Sequence, residues 1–200
     1  MKRFVIIIFV AAWSQLLFAQ QFKGGLTGGL IVSQVDGDNW GGYNKPGVNF
    51  GGFVYVMFKK NVGFGTELKY IQKGSFKAPN YEKGDYTYYK MRLSYIEMPF
   101  LAKYVLNEKL NFDAGLGISY LFKATEDKDG NGGIEAAPPF FKYEIPFICS
   151  VHYQMSEKVE VFLRFSYSVL PIRNHPGDHT YFLDRGQCNK LLNLSFNYTF

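Results

Sequence analysis

From residue 22 onward, apolar and polar positions alternate along most of the chain, a period-two pattern that predicts strands with one apolar face. Eight such segments can be traced. The first runs from about Phe22 to Ser33, with Leu26, Leu30 and Val32 on one face and Thr27 and Ile31 on the other. The second starts near Gly47 and carries Val48, Phe50, Val54, Val56 and Phe58 on one side. In the third, Val62, Phe64, Thr66, Leu68 and Tyr70 oppose Glu67, Lys69 and Lys73. The fourth sets Tyr89, Met91, Leu93 and Tyr95 against Lys90, Arg92 and Ser94; its phase then changes, so that Met98, Phe100 and Tyr104 oppose Glu97 and Lys103. One extra residue near Ile96, a β-bulge, would produce that change. The fifth opposes Phe112, Leu116, Ile118 and Tyr120 to Asn111, Asp113 and Ser119, and the sixth Phe141, Tyr143, Phe147 and Val151 to Lys142, Glu144, Ser150 and His152. The seventh sets Val161, Leu163, Phe165 and Tyr167 against Glu160, Arg164, Ser166 and Ser168. The eighth, LLNLSFNYTF, alternates Leu192, Leu194, Phe196, Tyr198 and Phe200 with Asn, Ser and Thr.

The connections alternate too. Those at 59–61, 106–109 and 155–158 are short; those at 34–46, 74–88, 124–139 and 171–187 are long and rich in Gly, Asp, Asn and Pro. An even number of strands with short turns at one end and long loops at the other is the pattern of an outer-membrane barrel. A soluble lipocalin-like barrel or sandwich would account for the alternation by turning the aromatic face inward. It would leave the loop asymmetry and the aromatic last strand without a reason. The prediction is therefore all-β: an eight-stranded, antiparallel, up-and-down transmembrane β-barrel with its apolar face toward lipid.

The first 19 residues sharpen the location. Met1-Lys2-Arg3 precedes an apolar stretch from Phe4 to Phe18, and Ala19 stands at a cleavage position before Gln20-Gln21. This predicts a signal peptide at 1–19, cleaved on export, and a barrel domain at 20–200 in the outer membrane of a Gram-negative cell. Removing Lys2 and Arg3 lowers the formal charge from +5 to +3, since no acidic residue lies in the signal. What remains is spread along the chain, without the basic run that nucleic-acid binding needs. Aromatics make up 18% of the chain and there are 21 glycines, both high for a soluble domain. Two cysteines in an exported protein suggest a disulfide, but Cys149 and Cys188 fall on non-adjacent strands and at different depths, so no bridge is expected.

The polar face carries charges of both signs. Glu67, Lys69, Arg92, Glu97, Asp113, Glu144, Glu160 and Arg164 are expected to fill a narrow lumen and pair there. Three further groups invite chemistry. Asp127, Asp129 and Asn131 occupy positions one, three and five of a calcium-loop pattern, with Gly132 at six, but position twelve is Pro138, and a Gly/Asp/Asn-rich turn explains the same residues. Ser166 or Ser168 with His175 or His179 could form a rim Ser/His pair of a lipid-modifying enzyme, and Asp178 lies in the same loop; a hydrated polar loop accounts for these residues too. Tyr81, Tyr86, Tyr88 and Tyr89, with Lys77, Lys83 and Lys90, suit either an aromatic girdle with snorkelling lysines or recognition of a partner or glycan.

The opening FKGGLTGGLIVSQVDGDNWGGYNKPGVNFGG, the ELKYIQKG of the third segment and above all the YIEMPFLAKY of the fourth resemble the PorT-like, OmpA-type family of small outer-membrane β-barrels. The likeness extends over the predicted domain. It implies an eight-stranded integral barrel and, through the founding member, an association with a protein secretion and gliding apparatus. The apolar stripe of Phe196, Tyr198 and Phe200 resembles the C-terminal signal recognised by the barrel assembly machinery. The expected function is a non-enzymatic structural or interaction protein acting through its extracellular loops. No cofactor is implied; expected partners are outer-membrane lipid, the assembly machinery during biogenesis, and other envelope proteins.

Overall fold

A computed structural model describes residues 22–128, 130–174 and 186–200. The predicted signal peptide at 1–19, Asp129, and His175, Asp178 and His179 lie outside the described residues.

Ten strands follow in chain order: β1 (Phe22–Asp36), β2 (Lys45–Met57), β3 (Val62–Lys77), β4 (Tyr89–Val105), β5 (Leu110–Asp127), β6 (Ile134–Glu135), β7 (Tyr143–Glu144), β8 (Pro146–Gln154), β9 (Val159–Ser168) and β10 (Cys188–Thr199). β7 and β8 form one crossing interrupted at Ile145, and β6 is a short return that pairs with the end of β5. Eight crossings therefore pair antiparallel in the order β4-β3-β2-β1-β10-β9-β8-β5, and β4 pairs with β5 to close the ring. β1 meets β10 from Gly25↔Thr199 to Asp36↔Cys188. Closure leaves no open edge, so each crossing strand has its ladder partners on both sides, as a bilayer demands. No helix among the described residues is long and apolar enough to cross a membrane; the strands make the crossing.

The outer surface carries Leu26, Leu30, Phe50, Leu68, Leu116, Ile118, Leu163, Leu194 and Phe196, all more than half or nearly half exposed. A soluble fold would bury such residues. Aromatic pairs mark the long-loop border of this band, with Tyr70 5.9 Å from Phe122 and Tyr120 5.6 Å from Tyr143. At the other border, Tyr198 lies 6.3 Å from Phe200. These are the girdles of a membrane barrel.

The fourth strand corrects one expectation. Its inward face runs without a break through Tyr89, Met91, Leu93, Tyr95, Glu97, Leu101 and Lys103, all buried. The slip lies on β5 instead: Ser94 pairs with Lys123 and Tyr95 with Leu121, leaving Phe122 as the extra residue, with Phe122 and Lys123 both turned outward. The change of pattern on β4 reflects a change of surroundings. β4 and β5 have 17 and 18 residues, whereas about 9–11 tilted residues cross the bilayer. Above the lipid, the inside of the barrel is apolar and the outside polar; within it, the assignment reverses. An apolar core of Ile31, Val35, Ile71, Met91, Leu93 and Tyr95, with Leu121, Phe140, Ile172 and Leu191, thus fills the long-loop end.

The wall formed by β1 and β10 is lined with small residues. A side chain at Gly29 would lie 2.1 Å from Ser195 Oγ. The neighbouring Asn49 amide donates to Asn193 Oδ1 (3.1 Å) and Ser195 Oγ (3.0 Å). The thin wall leaves the interior to long charged side chains from the opposite strands. Cys149 faces outward on β8, Cys188 opens β10 opposite Asp36, and no disulfide joins them.

Candidate functional site: the charged interior and its mouth

Alternation places one inward residue at every second position, and successive strands set these at similar depths. On β3, Glu67, Lys69 and Lys73 point inward together; β4 contributes Glu97 and Lys103, β5 Asp113, β7 Glu144, β8 His152, and β9 Glu160 and Arg164. Every one of these side chains is nine-tenths or more buried. They pair into one continuous network. Arg164 grips Glu67 in a two-pronged contact at 2.7 and 2.8 Å, reaches Asp113 at 3.4 Å and donates through Nε to Ser150 Oγ at 2.7 Å. Lys69 bridges Glu67 (3.0 Å) and Glu97 (3.3 Å), and Lys73 bridges Glu97 (2.7 Å) and Glu144 (3.1 Å). Ser119 donates to Glu97, and Ser168 and Asn189 donate to Glu144.

Toward the short-turn end, His152 stands between two carboxylates: Nε2 meets Asp113 Oδ2 at 2.7 Å and Nδ1 meets Glu160 Oε1. Ionised carboxylates only accept, so both ring nitrogens can be satisfied only as donors, in the imidazolium form. Lys103 completes this end on Glu160 at 3.3 Å and lies 4.4 Å over the Tyr55 ring. With His152 charged, Glu67, Glu97, Asp113, Glu144 and Glu160 are matched by Lys69, Lys73, Lys103, Arg164 and His152. Neutrality is what a low-dielectric enclosure requires of buried charge. The space left beside this network, lined by Tyr55, Glu67, Lys103, Asp113, His152 and Asn197, is about 30 Å³, room for a water molecule or two and no larger solute.

Of the eight residues expected in the lumen, seven meet in this network. Arg92 does not. It lies on the outward face of β4, exposed, opposite Gly74 and Thr125. The alternation misplaces it because Tyr89, Met91, Leu93 and Tyr95 belong to the apolar core above the lipid rather than to the lipid face. Lys142 is likewise exposed. Lys73, Lys103 and His152 join the network from positions that the same alternation marks as inward.

A second cluster, which no spacing in the loops announced, closes the long-loop mouth. Arg173 pairs with Glu126 at 2.7 Å, donates to Gln187 Oε1 and Pro138 O, and packs 4.0 Å over the Phe140 ring. The Tyr89 hydroxyl donates to Glu126 at 2.9 Å, and burial followed by the Glu126 charge pushes that phenol well above its usual range. Asp38 accepts from the Trp40 amide at 2.9 Å, while its Oδ2 is buried without a hydrogen bond of normal length. Burial raises this carboxyl to about 6, against the pull of the neighbouring Ser75 hydroxyl and Trp40 amide. A cleft of about 380 Å³, lined by Asp38, Trp40, Tyr88, Tyr89, Glu126 and Arg173 among others, opens here.

The other candidate chemistry is dispersed. Asp127 Oδ1 accepts the Gly130 N–H at 2.8 Å, a local turn bond; Asn131 is exposed, and Glu126 turns inward to Arg173. No group of three or more potential metal-ligating side chains is found among the described residues. Ser166 and Ser168 are buried inside β9, Ser168 on Glu144. Phe196, Tyr198 and Phe200 form an exposed stripe at the short-turn end of β10. Tyr81 and Tyr86 are exposed and lie 5.6 Å apart, beside a single 3-10 turn at Tyr81–Lys83.

No curated protein matches the sequence. Among solved structures, the barrel is similar to the attachment invasion locus protein Ail of Yersinia pestis, crystallised with the heparin analogue sucrose octasulfate, at 12% identity and a TM-score of 0.54 over 90% of this chain and 99% of that one. A further crystal structure of the Yersinia pestis protein gives 0.53 at the same identity and coverage. Neisserial surface protein A scores 0.46 at 12% identity, over 91% of this chain and 99% of that one. At such identities the Ail likeness is one of fold. Residues 18–172 match the outer membrane protein beta-barrel domain. With a closed ring of eight crossings, an apolar outer band between aromatic girdles and a charged interior, this chain belongs to that outer-membrane β-barrel family.

Proposed function

We propose that this protein is a non-enzymatic component of the outer membrane that contacts other envelope or extracellular molecules through its long-loop end. The observation that carries the reading is the double seal of the interior. Paired charges fill the membrane-spanning level, with a space of about 30 Å³ beside Asp113 and His152, and an apolar core lies above them. A barrel so filled offers no passage, which leaves its surfaces as the working parts. The long-loop end holds the cleft around Trp40 and Asp38 and the exposed Tyr81–Tyr86 pair; aromatic and polar groups of this kind suit recognition. On the finer scale, the likeness of YIEMPFLAKY to PorT-like barrels favours a role alongside a secretion and gliding apparatus. The Ser/His pair of a lipid-modifying enzyme draws less support, since Ser168 is buried on Glu144.

A deletion strain separates these readings. Loss of secretion or motility supports the PorT-like role, and a change in lipid A mass would replace the non-enzymatic reading with the enzymatic one. If neither changes, photocrosslinkers at Tyr81 and Tyr86 should capture a defined envelope or extracellular partner. Failure to capture one in any growth condition would overturn the interaction reading.

A further inference from the structure

The cleft at the long-loop mouth holds a charge that nothing beside it answers. Asp38 is 8% exposed; its Oδ1 accepts the Trp40 amide at 2.9 Å, while Oδ2 is buried with no hydrogen-bond partner. No ion pair reaches it among the described residues. At pH 7.5 this carboxyl is ionised, since burial lifts it only to about 6. A buried carboxylate without a counter-charge is costly unless a cation arrives from elsewhere.

The other polar groups of the cleft are spent on one another. Arg173 donates through Nε to Gln187 Oε1 (2.9 Å), through Nη1 to the Pro138 carbonyl (3.1 Å) and through Nη2 to Glu126 (2.7 Å), and it packs 4.0 Å over the Phe140 ring. The Glu126 charge is thereby matched, and the same oxygen takes the Tyr89 hydroxyl. The guanidinium fork that would hold a phosphate is already taken, and no convergent set of donors and acceptors is left for a sugar. Lys128 is exposed at the rim, where solvent screens it.

Aromatic faces are what remains open. Trp40 and Tyr88 are half-buried. The Trp40 ring packs against the apolar core, 6.2 Å from Tyr89 and inclined by 34°, and Phe76 holds Tyr88 edge-on at 5.8 Å. Ring faces of this kind attract a cation within about 6 Å of their centres. A metal ion would ask for several oxygen ligands, and Asp38 is the one unpaired carboxylate here. A quaternary ammonium has no N–H to donate. It suits rings that offer only their faces and a carboxylate whose burial leaves it to act through its charge.

The place of the cleft says where such a ligand comes from. Tyr89 and Glu126 lie on the inward faces of β4 and β5, above the apolar core, and the space of about 380 Å³ between them and the loops opens within the mouth. Lipid headgroups stand outside this wall. We propose that the mouth cleft of Asp38, Trp40, Tyr88 and Tyr89 binds the quaternary ammonium group of a soluble small molecule of the choline type. The site gives a ligand class to the recognition at the long-loop end, and it rests on that reading.

Trp40 makes the test direct. The other tryptophan, Trp13, lies in the predicted signal peptide, so a barrel made without that peptide reports on the cleft through its own fluorescence. Folded protein in a maltoside detergent at pH 7.5 is titrated with choline chloride at constant ionic strength. The Trp40 emission should change saturably, and dimethylbutanol, the uncharged carbon isostere of choline, should bind at least about tenfold more weakly. D38N keeps the acceptor for the Trp40 amide and should weaken choline binding by about tenfold; Y88L, which leaves the charge in place, should weaken it as well. Heat-modifiable migration on gels shows that each variant is folded. Absence of a saturable change, equal binding of choline and dimethylbutanol, or unchanged binding in either folded variant would overturn the site. The choline-bound emission appearing in phosphatidylcholine nanodiscs before any choline is added, and not in phosphatidylglycerol nanodiscs, would overturn the assignment to a soluble ligand. None of these results bears on partner capture at Tyr81 and Tyr86, so the site and the wider interaction fail separately.

Discussion

Arg164 touches more of the interior than any single residue replacement can make good. It holds Glu67 with two hydrogen bonds, reaches Asp113 and anchors Ser150. Replacing it with Met keeps the volume but leaves a buried Glu67 facing only Lys69. Such a stranded charge costs about 3–5 kcal/mol, so R164M should lower the urea midpoint of the folded barrel strongly. Converting Glu67 to Gln in the same molecule should recover a large part, and no recovery would mean that the pair is not coupled. Asp38 gives the opposite sign. Its folded-state value of about 6 lies above the ordinary 3.8, so the folded protein holds this proton more tightly than the unfolded chain. Its contribution to stability is therefore gained as pH falls through 6 toward 3.8 and is absent above 6. D38N keeps an acceptor for the Trp40 amide and removes the buried charge. It should stabilise the protein at pH 7.5 by about 1–3 kcal/mol and have little effect at pH 4; a loss of stability at pH 7.5 would contradict the assignment.

At the scale of the strand, β3 and β4 meet at Gly74 without room for a side chain. A Cβ there would lie 2.2 Å from the Met91 carbonyl oxygen, and the residue has φ +139. G74A should therefore destabilise the barrel by more than about 1 kcal/mol, measured as a lower heat-transition temperature, while an unchanged transition would show that the strands part easily. The strands themselves were readable because each side of the wall meets one medium over several residues, and period two survives wherever that holds. Leu26, Leu30, Phe196 and Tyr198 declare lipid, and Glu67, Lys69 and Arg164 declare the interior. β4 broke the rule at the height where both media change together. There Tyr89, Met91, Leu93 and Tyr95 passed from lipid-like to core-like without any change of direction, and a shift of surroundings looked like a bulge. The real bulge at Phe122 was silent because Phe122 and Lys123 are individually ordinary on an outer face. The mouth cluster of Asp38, Glu126, Arg173 and Gln187 was silent for another reason: Glu126 closes β5 within the stretch read as the 124–139 loop, and the other three come from loops, where position in sequence carries no periodic information about position in space.

For the whole molecule, the two layers of the interior matter because they seal independently. At membrane level, each carboxylate already has a cation, so a passing ion would have to break a buried pair before it gained a partner. Nearer the loops, Ile31, Leu93 and Leu121, each 2% or less exposed, present no polar group to an ion stripped of water. Eight strands also give an interior only wide enough for side chains. The wild-type barrel should therefore show no discrete, stable conductance steps in planar bilayers. Thinning one layer should not create them. L93A/L121A opens the apolar layer but leaves the salt bridges of Lys73, Glu97 and Glu144 beneath it; K73M/E97Q removes two of those charges but leaves the apolar layer closed. Each variant is expected to be less stable and still non-conducting, and only the four changes together should admit ions. Conductance in either double variant would show that a single layer carries the seal. Conductance in the wild type would show that the interior is not closed, and it would return transport to the functions open to this barrel.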